Sequence, residues 1–368
     1  MAGQQEEVCH KILSKFPSGI SFAFAYGSGI FHQKGNISSQ NMLDFVFVLQ
    51  NARKWHEDNM YGKHHAHHYS SLRWFGSRAL VPLQDKLGAG VYYNTLVPME
   101  GRMIKYGTIS QDNFLLDLND WQWLYLAGRL HKPVHLILRP NDEDILSALK
   151  ANLNSAVTAA LLCLPEYFTE EQLFLRIAGL SYAGDFRMVV GENKNKVQNI
   201  VSSNFESFQE LYRPILLNSG QLHFISSSGK YHQDQASDVI LSRLMSLPKN
   251  LQLKVAQALE GKKVKPSLVE SALVKASKDR ADCSQLVNKG VTSIVKRSSI
   301  TQSVKGIFTA GGRKTLIYSG QKLTKMMKGI FGRWISVLIF NFKVGQFTYK
   351  GLLCFDWWQK LLEIKLHF

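Results

Sequence analysis

Cysteine is scarce in this chain of 368 residues: Cys9, Cys163, Cys283 and Cys354 are widely scattered, and none falls in a Cys-x-x-Cys pair. That scatter argues against a disulfide framework or a thiolate zinc site and fits a reducing compartment. Long apolar runs are missing as well. The longest, Trp334 to Phe340, is far short of the ~20 residues needed to span a bilayer. The first residues, Met1-Ala-Gly-Gln-Gln-Glu-Glu, have neither the apolar core of a secretory signal nor the acid-poor, Arg-rich character of a transit peptide. An organellar address would therefore be cryptic or outside this sequence. Acidic residues are absent between Leu286 and Lys350, where 12 Lys and Arg stand. Residues 1–285 carry 30 basic and 26 acidic side chains, a net of +4 out of the total of +16. The excess charge thus belongs to one C-terminal segment and implies an acidic partner there, whether anionic lipid, nucleic acid or a ligand's phosphates.

What is present is ordinary for a globular protein, at 45% hydrophobic and 20% charged residues, and the length suggests two or three units. The most informative stretch is Ile20 to Gly29, an apolar strand ending in Gly27-Ser28-Gly29, followed by Met42 to Val48, a second apolar strand that carries Asp44. Glycines let a backbone approach a phosphate closely. By the two-residue period of a strand, Asp44 shares a face with Val46 and Val48, while Leu43, Phe45 and Phe47 take the other. One carboxylate in an apolar strand is an exception that calls for a cause. Backbone N–H groups and the Ser28 hydroxyl suit the β- and γ-phosphates of a nucleoside triphosphate, and Asp44 suits its magnesium. The alternative is a structural turn followed by an acid that faces a helix.

The rest of the chain gives weaker signals. His10 to Phe16 reads as a short helix stopped by Pro17-Ser18-Gly19. The run His64, His65, His67 and His68 has no accompanying acid or Cys cluster with ligand spacing, so it reads as a solvated helix and loop rather than a metal site; His68 is kept as a substrate contact. Gly88 to Asn94 reads as a turn into a strand, Met103 to Ile109 as a strand bearing Lys105, and Phe114 to Leu130 as a helix bearing Asp117, Asp120 and Arg129. Pro133 to Leu138 reads as the last strand of an α/β or α+β first unit. From Ile145 the pattern turns helical, with Thr169 as an N-cap, and stays polar and helical to about Lys262, apart from a short strand closed by Gly191. Lys296 to Ile307 is dense in hydroxyls and cations that suit phosphate oxygens. Leu316 to Phe331 reads as a basic amphipathic helix, either on a membrane surface or packed on the protein.

Several motifs, taken together, carry a resemblance. Tyr26-Gly27-Ser28-Gly29, Leu43-Asp44-Phe45-Val46-Phe47, His68-Tyr69-Ser70, Gly88 to Asn94, Ile104-Lys105-Tyr106-Gly107, Leu126 to Leu130, Ser181 to Arg187 and Ser298 to Ile307 resemble the mitochondrial phosphatidate cytidylyltransferases, also called translocator assembly and maintenance proteins. The resemblance covers about residues 10–330. It implies an α+β fold: a polymerase-beta-like nucleotidyltransferase domain over 1–144, a mainly helical winged-helix-like domain over 145–285, a basic phosphate- and membrane-contacting segment over 286–330, and an atypical tail over 331–368. It implies CTP and phosphatidic acid as substrates, CDP-diacylglycerol and pyrophosphate as products, Mg2+ as cofactor, and a peripheral place on the matrix side of the inner mitochondrial membrane, for cardiolipin synthesis. No nucleic acid is expected.

On this reading Asp44 and Lys105 are catalytic, and Gly27, Ser28, Gly29, His68, Arg129, Asp185, Arg187, Lys194, Gln302 and Lys305 bind substrate. Asp44 ligates the metal. The wider superfamily places a second carboxylate two residues after the first, where this chain has Val46, so the second ligand is sought in Asp117, with Asp120 and Asp185 as further candidates. The tail from Ile330 departs from the family pattern and reads as an alternative exon in preference to an interfacial anchor. Two other functions fit the motifs less well: nucleotidyl transfer to RNA or protein, and a non-catalytic assembly factor at a membrane. The first lacks an aromatic platform for bases in the basic segment. The second sits poorly with the retention of Gly27, Ser28 and Asp44.

Overall fold

The alternating apolar residues of the first third of the chain build a five-stranded sheet. After α1 (Ala2–Ser14), β1 (Ile20–Tyr26) pairs antiparallel with β2 (Leu43–Leu49). Helices α2 (Ala52–Glu57) and α3 (Gly76–Lys86) lead to the hairpin of β3 (Tyr92–Met99) and β4 (Arg102–Ser110), and β4 runs parallel to β2. Next come α4 (Gln111–Asp120), α5 (Leu126–Leu130) and β5 (His135–Leu138), which closes the far edge on β1. The strand order is β3-β4-β2-β1-β5. This computed structural model describes residues 2–31, 41–190, 195–220 and 222–310. The expected amphipathic helix at Leu316 to Phe331, the tail and Lys194 lie outside them.

The two faces of the sheet enter different cores, as the two-residue period requires. Leu43, Phe45 and Phe47 join Ala23 and Ala25 on one face, covered by α1 through Cys9 and Ile12 and by α2 through Trp55. Val46 and Val48 join Phe22 and Phe24 on the other, under α4, where the Phe22 and Phe114 rings lie 5.8 Å apart. The face that carries Asp44 is therefore the one turned toward the helical half of the chain.

That second core continues through α6 (Glu143–Leu161) into the remaining helices. These are α7 (Glu170–Leu180), α8 (Arg187–Val190), α9 (Lys196–Ser203), α10 (Phe205–Leu217), α11 (Ser237–Met245), α12 (Lys249–Glu260), α13 (Val269–Ala276) and the 31-residue α14 (Arg280–Ala310). Thr169 caps α7 as expected, in a capping box with Gln172. The fold is α+β.

Four elements differ from the sequence reading. The first helix begins at Ala2 rather than His10. The single helix expected over Phe114 to Leu130 is two, because Trp121 and Leu124 take φ of 52° and 50° between α4 and α5. The short strand expected before Gly191 is the helical turn α8. The stretch expected to stay helical to Lys262 contains a hairpin, β7 (Leu222–Ile225) with β8 (Lys230–Gln233), which pairs with the short β6 (Tyr167–Phe168). Its cue was the Ser-Gly turn near residue 228, flanked by β-branched and aromatic residues.

Candidate active site

Asp44 stands at the N-terminal end of β2, opposite Tyr26 on β1 and in register with Lys105 on β4. All three side chains project from one face. Immediately after Tyr26 the chain turns: Gly27 has φ of +85°, and its carbonyl accepts from the N–H groups of Ile30 and Phe31. A Cβ on Gly27 would come within 3.0 Å of Asp44 Oδ2. Only glycine combines that backbone with that approach, so the carboxylate lies directly against open backbone. The turn is braced from outside. Gln5 Nε2 donates to Gly29 O, Asn41 Nδ2 donates to Ser28 O, and Arg102 Nη2 donates to Asn41 O. Lys105 Nζ sits 4.2 Å from the centre of the Tyr93 ring, and the Tyr93 hydroxyl approaches that of Tyr26 at 3.5 Å. Gly107 makes this floor possible, since a Cβ there would meet Tyr93 Cε1 at 2.5 Å.

A cationic wall adjoins the floor. The Arg129 guanidinium lies 5.1 Å from the Tyr26 ring centre, and its Nη2 donates to Pro133 O. Burial pulls its pKa below the ordinary range; Tyr182, Tyr26 and the Asp44 carboxylate oppose that shift. Lys132, almost wholly buried, donates to Gly128 O and, at 2.7 Å, to Ser181 Oγ. Burial, and after it the charges of Arg129 and Lys196, depress the Lys132 ammonium well below the usual lysine value. Lys132 and Lys196 lie 5.1 and 5.4 Å from the centre of the Tyr182 ring. Arg129, Lys132 and Lys196 together give this side of the site a cationic character that suits an anionic ligand.

The structure gives several predicted site residues partners within the protein itself. Asp117 is fully buried, and its carboxylate accepts from the N–H groups of Trp123, Tyr125, Leu126 and Ala127 at 2.8–3.1 Å. Burial pushes its pKa up, and those four donors pull it back. It anchors the strained link between α4 and α5, with one donor on Oδ1 and three on Oδ2. Asp120 ends α4, half-buried. Asp185, expected as a substrate contact or further metal ligand, is paired with Arg187, whose Nε reaches both carboxylate oxygens at 2.9 and 3.0 Å. Gln302 and Lys305 take backbone partners within the protein. Gln302 accepts from Ala89 N and donates to Val91 O, and Lys305 Nζ donates to Gln84 O and Leu87 O, so both clamp the turn after α3. Among the described residues no three His, Cys, Asp or Glu side chains form a metal-binding group. Asp44, with its cradle of glycine backbone, is the carboxylate whose surroundings fit a metal. It matches the habit of magnesium, which keeps one or two carboxylates and completes its shell with phosphate and water.

A profile of the family described as phosphatidate cytidylyltransferase, mitochondrial, matches residues 9–325. The chain belongs to this family. It is 47% identical to the family member of that name from Danio rerio over 322 residues, 87% of this chain and 94% of the fish protein. To the Bos taurus member it is 48% identical over 321 residues, with the same two coverages. The Caenorhabditis elegans member is 38% identical over 309 residues, 84% of this chain and 95% of the worm protein.

Within the span shared with the family, the histidine run is split: His64 and His67 are exposed, as expected of a solvated segment, while His65 is half-buried and His68 is buried. His68 is buried, with Nδ1 hydrogen-bonded to the Tyr106 hydroxyl at 3.0 Å, behind the strand that carries Lys105 rather than beside it. Asn59 Nδ2 reaches the hydroxyls of Tyr69 and Tyr106, and His65 Nδ1 meets Asn59 Oδ1 at 3.0 Å. His56 Nε2 donates to Gln84 Oε1, and its Nδ1 lies 2.8 Å from the Tyr69 hydroxyl. Burial favours the neutral imidazole and lowers its pKa to about 4. Between about pH 4 and 6.5 the unfolded chain binds a proton here that the folded chain does not. Stability should therefore be fully present above that window and fall on acidification through it. Denaturant midpoints measured across the window should show a shallower loss in His56→Gln; equal slopes would remove His56 as a cause.

The sequence reading missed Lys132. Its cue is weak: a second cation three residues after Arg129, in a short segment between a helix and a strand. Only tertiary packing against Ser181 and Tyr182 makes it part of the wall.

Proposed function

We propose that this chain transfers the cytidylyl group of CTP to phosphatidic acid, releasing pyrophosphate and forming CDP-diacylglycerol. The observation that carries the proposal is the junction of the Asp44–Gly27 corner with the Arg129, Lys132 and Lys196 wall, in a member of this family. A phosphatidate phosphate oxygen attacks the α-phosphorus of CTP, and the bond to the β-phosphate breaks. That oxygen is already ionised near neutral pH, so the site needs no strong base. Asp44 is the residue that would hold a magnesium ion, which when bound neutralises charge on the α-phosphate and the departing pyrophosphate. Ser28 offers its hydroxyl to the triphosphate beside the glycine turn. Lys105 and Arg129 stand on either side of Asp44 and offset charge that grows on the phosphates. A triphosphate beside Lys132 opposes the burial that depresses its ammonium and so favours the charged form.

The setting proposed is the matrix face of the inner mitochondrial membrane, with the protein held peripherally on anionic lipid. Among the described residues no helix is long and apolar enough to cross a membrane.

The direct test is CTP labelled at its α-phosphate, incubated with the protein, magnesium and phosphatidic acid vesicles. Label should appear in CDP-diacylglycerol. Label in RNA or in protein, when those are offered instead, would favour the other transfer reactions. Lys132→Met should raise the KM for CTP by about tenfold or more, the worth of one charge-assisted contact. Its thermal midpoint must be followed alongside, and an unchanged KM in a folded variant would take Lys132 out of the site.

A further inference from the structure

The last turns of α14 are inside out. Ser298, Gln302, Lys305 and Thr309, three or four residues apart, are turned into the fold and buried. Lys296, Ile300, Val304 and Phe308, each four apart, form the opposite ridge and are exposed, Val304 to 50% and Phe308 to 65%. A helix built for water alone would present its apolar stripe inward. The rotation is fixed by the polar clamp of Gln302 and Lys305 on the turn after α3, which forces the apolar ridge outward.

A second apolar group adjoins the ridge. Ser70 Oγ donates to Phe308 O at 3.4 Å, and Ser70 caps the short 3-10 helix Ser71–Phe75. Trp74 and Phe75 at the end of that helix are 76% and 69% exposed, and the Arg73 guanidinium lies 4.9 Å from the Trp74 ring centre. Leu87, whose carbonyl takes Lys305, is exposed too. The charges around these residues are largely of one sign. After Asp282, α14 contains no acid but carries Lys289, Lys296 and Arg297, and Arg78 is exposed on α3. Isolated apolar side chains do not call for a partner; a ridge, an aromatic pair and a cationic rim together do.

We propose that the Ile300, Val304 and Phe308 ridge and the Trp74–Phe75 pair form one surface that enters the interface of an anionic lipid bilayer. Aromatic rings suit the headgroup boundary, and Lys and Arg at the rim keep their charge among lipid phosphates while their stems lie on apolar ground. The proposal deepens the lipid-substrate reading above and rests on it for the choice of assay.

The test uses the full chain and vesicles of equal parts phosphatidylcholine and phosphatidylglycerol, which lack the substrate lipid. The double variant Val304→Glu, Phe308→Glu and the single variant Trp74→Ser should each lose about tenfold or more in vesicle partition, because a buried apolar side chain is replaced by one that stays in water. Thermal midpoints should not change. Turnover of a short-chain phosphatidate dispersed below its micelle threshold should match wild type, while turnover of vesicle-embedded phosphatidate falls with binding. Undiminished partition of the double variant would overturn the proposal. So would a dimer of wild type that the variant splits, which would assign the ridge to a second copy. A lower midpoint with unaltered partition would equally overturn it, by assigning the ridge to another segment of the same chain. If wild type failed to use the short-chain substrate, the catalytic reading would fall while the partition result stood.

Discussion

Asp44→Asn should lower CTP-dependent turnover by about a hundredfold or more with little change in thermal midpoint. The asparagine keeps the size of the aspartate and fits against Gly27, whose open backbone leaves room for the carboxylate at 3.0 Å from a would-be Cβ. What it removes is the charge. A carboxylate that binds a divalent ion contributes several kcal/mol to stabilising phosphoryl charge in the transition state, and each 1.36 kcal/mol is a factor of ten in rate. The fold should tolerate the change, since Asp44 sits at the N-terminal end of β2 with its side chain only half-buried, while the β2 ladder is made by backbone. Turnover near the wild-type value in a folded Asp44→Asn protein would remove Asp44 as the metal-bearing residue. A large fall in midpoint would instead mean that the acid serves the fold, as Asp117 does.

The contrast between these two acids shows what a sequence can disclose. Asp44 was legible because a two-residue period assigns its face without tertiary information, and an acid among Leu, Phe and Val on a strand has few structural uses. The two sheet faces, the Gly27 turn and the Thr169 cap were legible for the same local reason. Asp117 was not, because an acid on a helix among Leu residues looks the same whether it meets a metal or caps the next turn of chain. The distinction lies in the four N–H groups from Trp123 to Ala127, which reach it only because Trp121 and Leu124 adopt left-handed backbone. Gln302 and Lys305 misled for a related reason. Their residue types suit phosphate, but they are equally good at gripping free carbonyls and N–H groups at a helix end, and nothing local separates the two uses. Lys132 failed in the opposite direction, having no local mark at all. A cationic wall gathered from α5, the loop after it, the turn after α7 and the start of α9 exists only once the helical half is packed on the sheet.

Asp117→Ala should cost about 4 kcal/mol of folding stability, a large share of the roughly 5–15 kcal/mol that holds a domain together. The alanine leaves four backbone donors without an acceptor at a site closed to water, and each such orphan costs about 1–3 kcal/mol; partial rearrangement of the link keeps the total below their sum. The strained residues Trp121 and Leu124 then lose the contact that holds them, and α5, which carries Arg129, loses its fixed position. Asp117→Asn should fall between, since one amide oxygen can still accept while the NH2 group faces the same donors. Denaturant midpoints would measure both. The kinetics add an independent readout: a structural Asp117 predicts that turnover per folded molecule, and its dependence on magnesium concentration, stay close to wild type in Asp117→Asn at temperatures well below the midpoint. A metal-binding Asp117 predicts the reverse, a nearly unchanged midpoint with a magnesium requirement shifted by an order of magnitude or more. The four N–H contacts favour the first outcome.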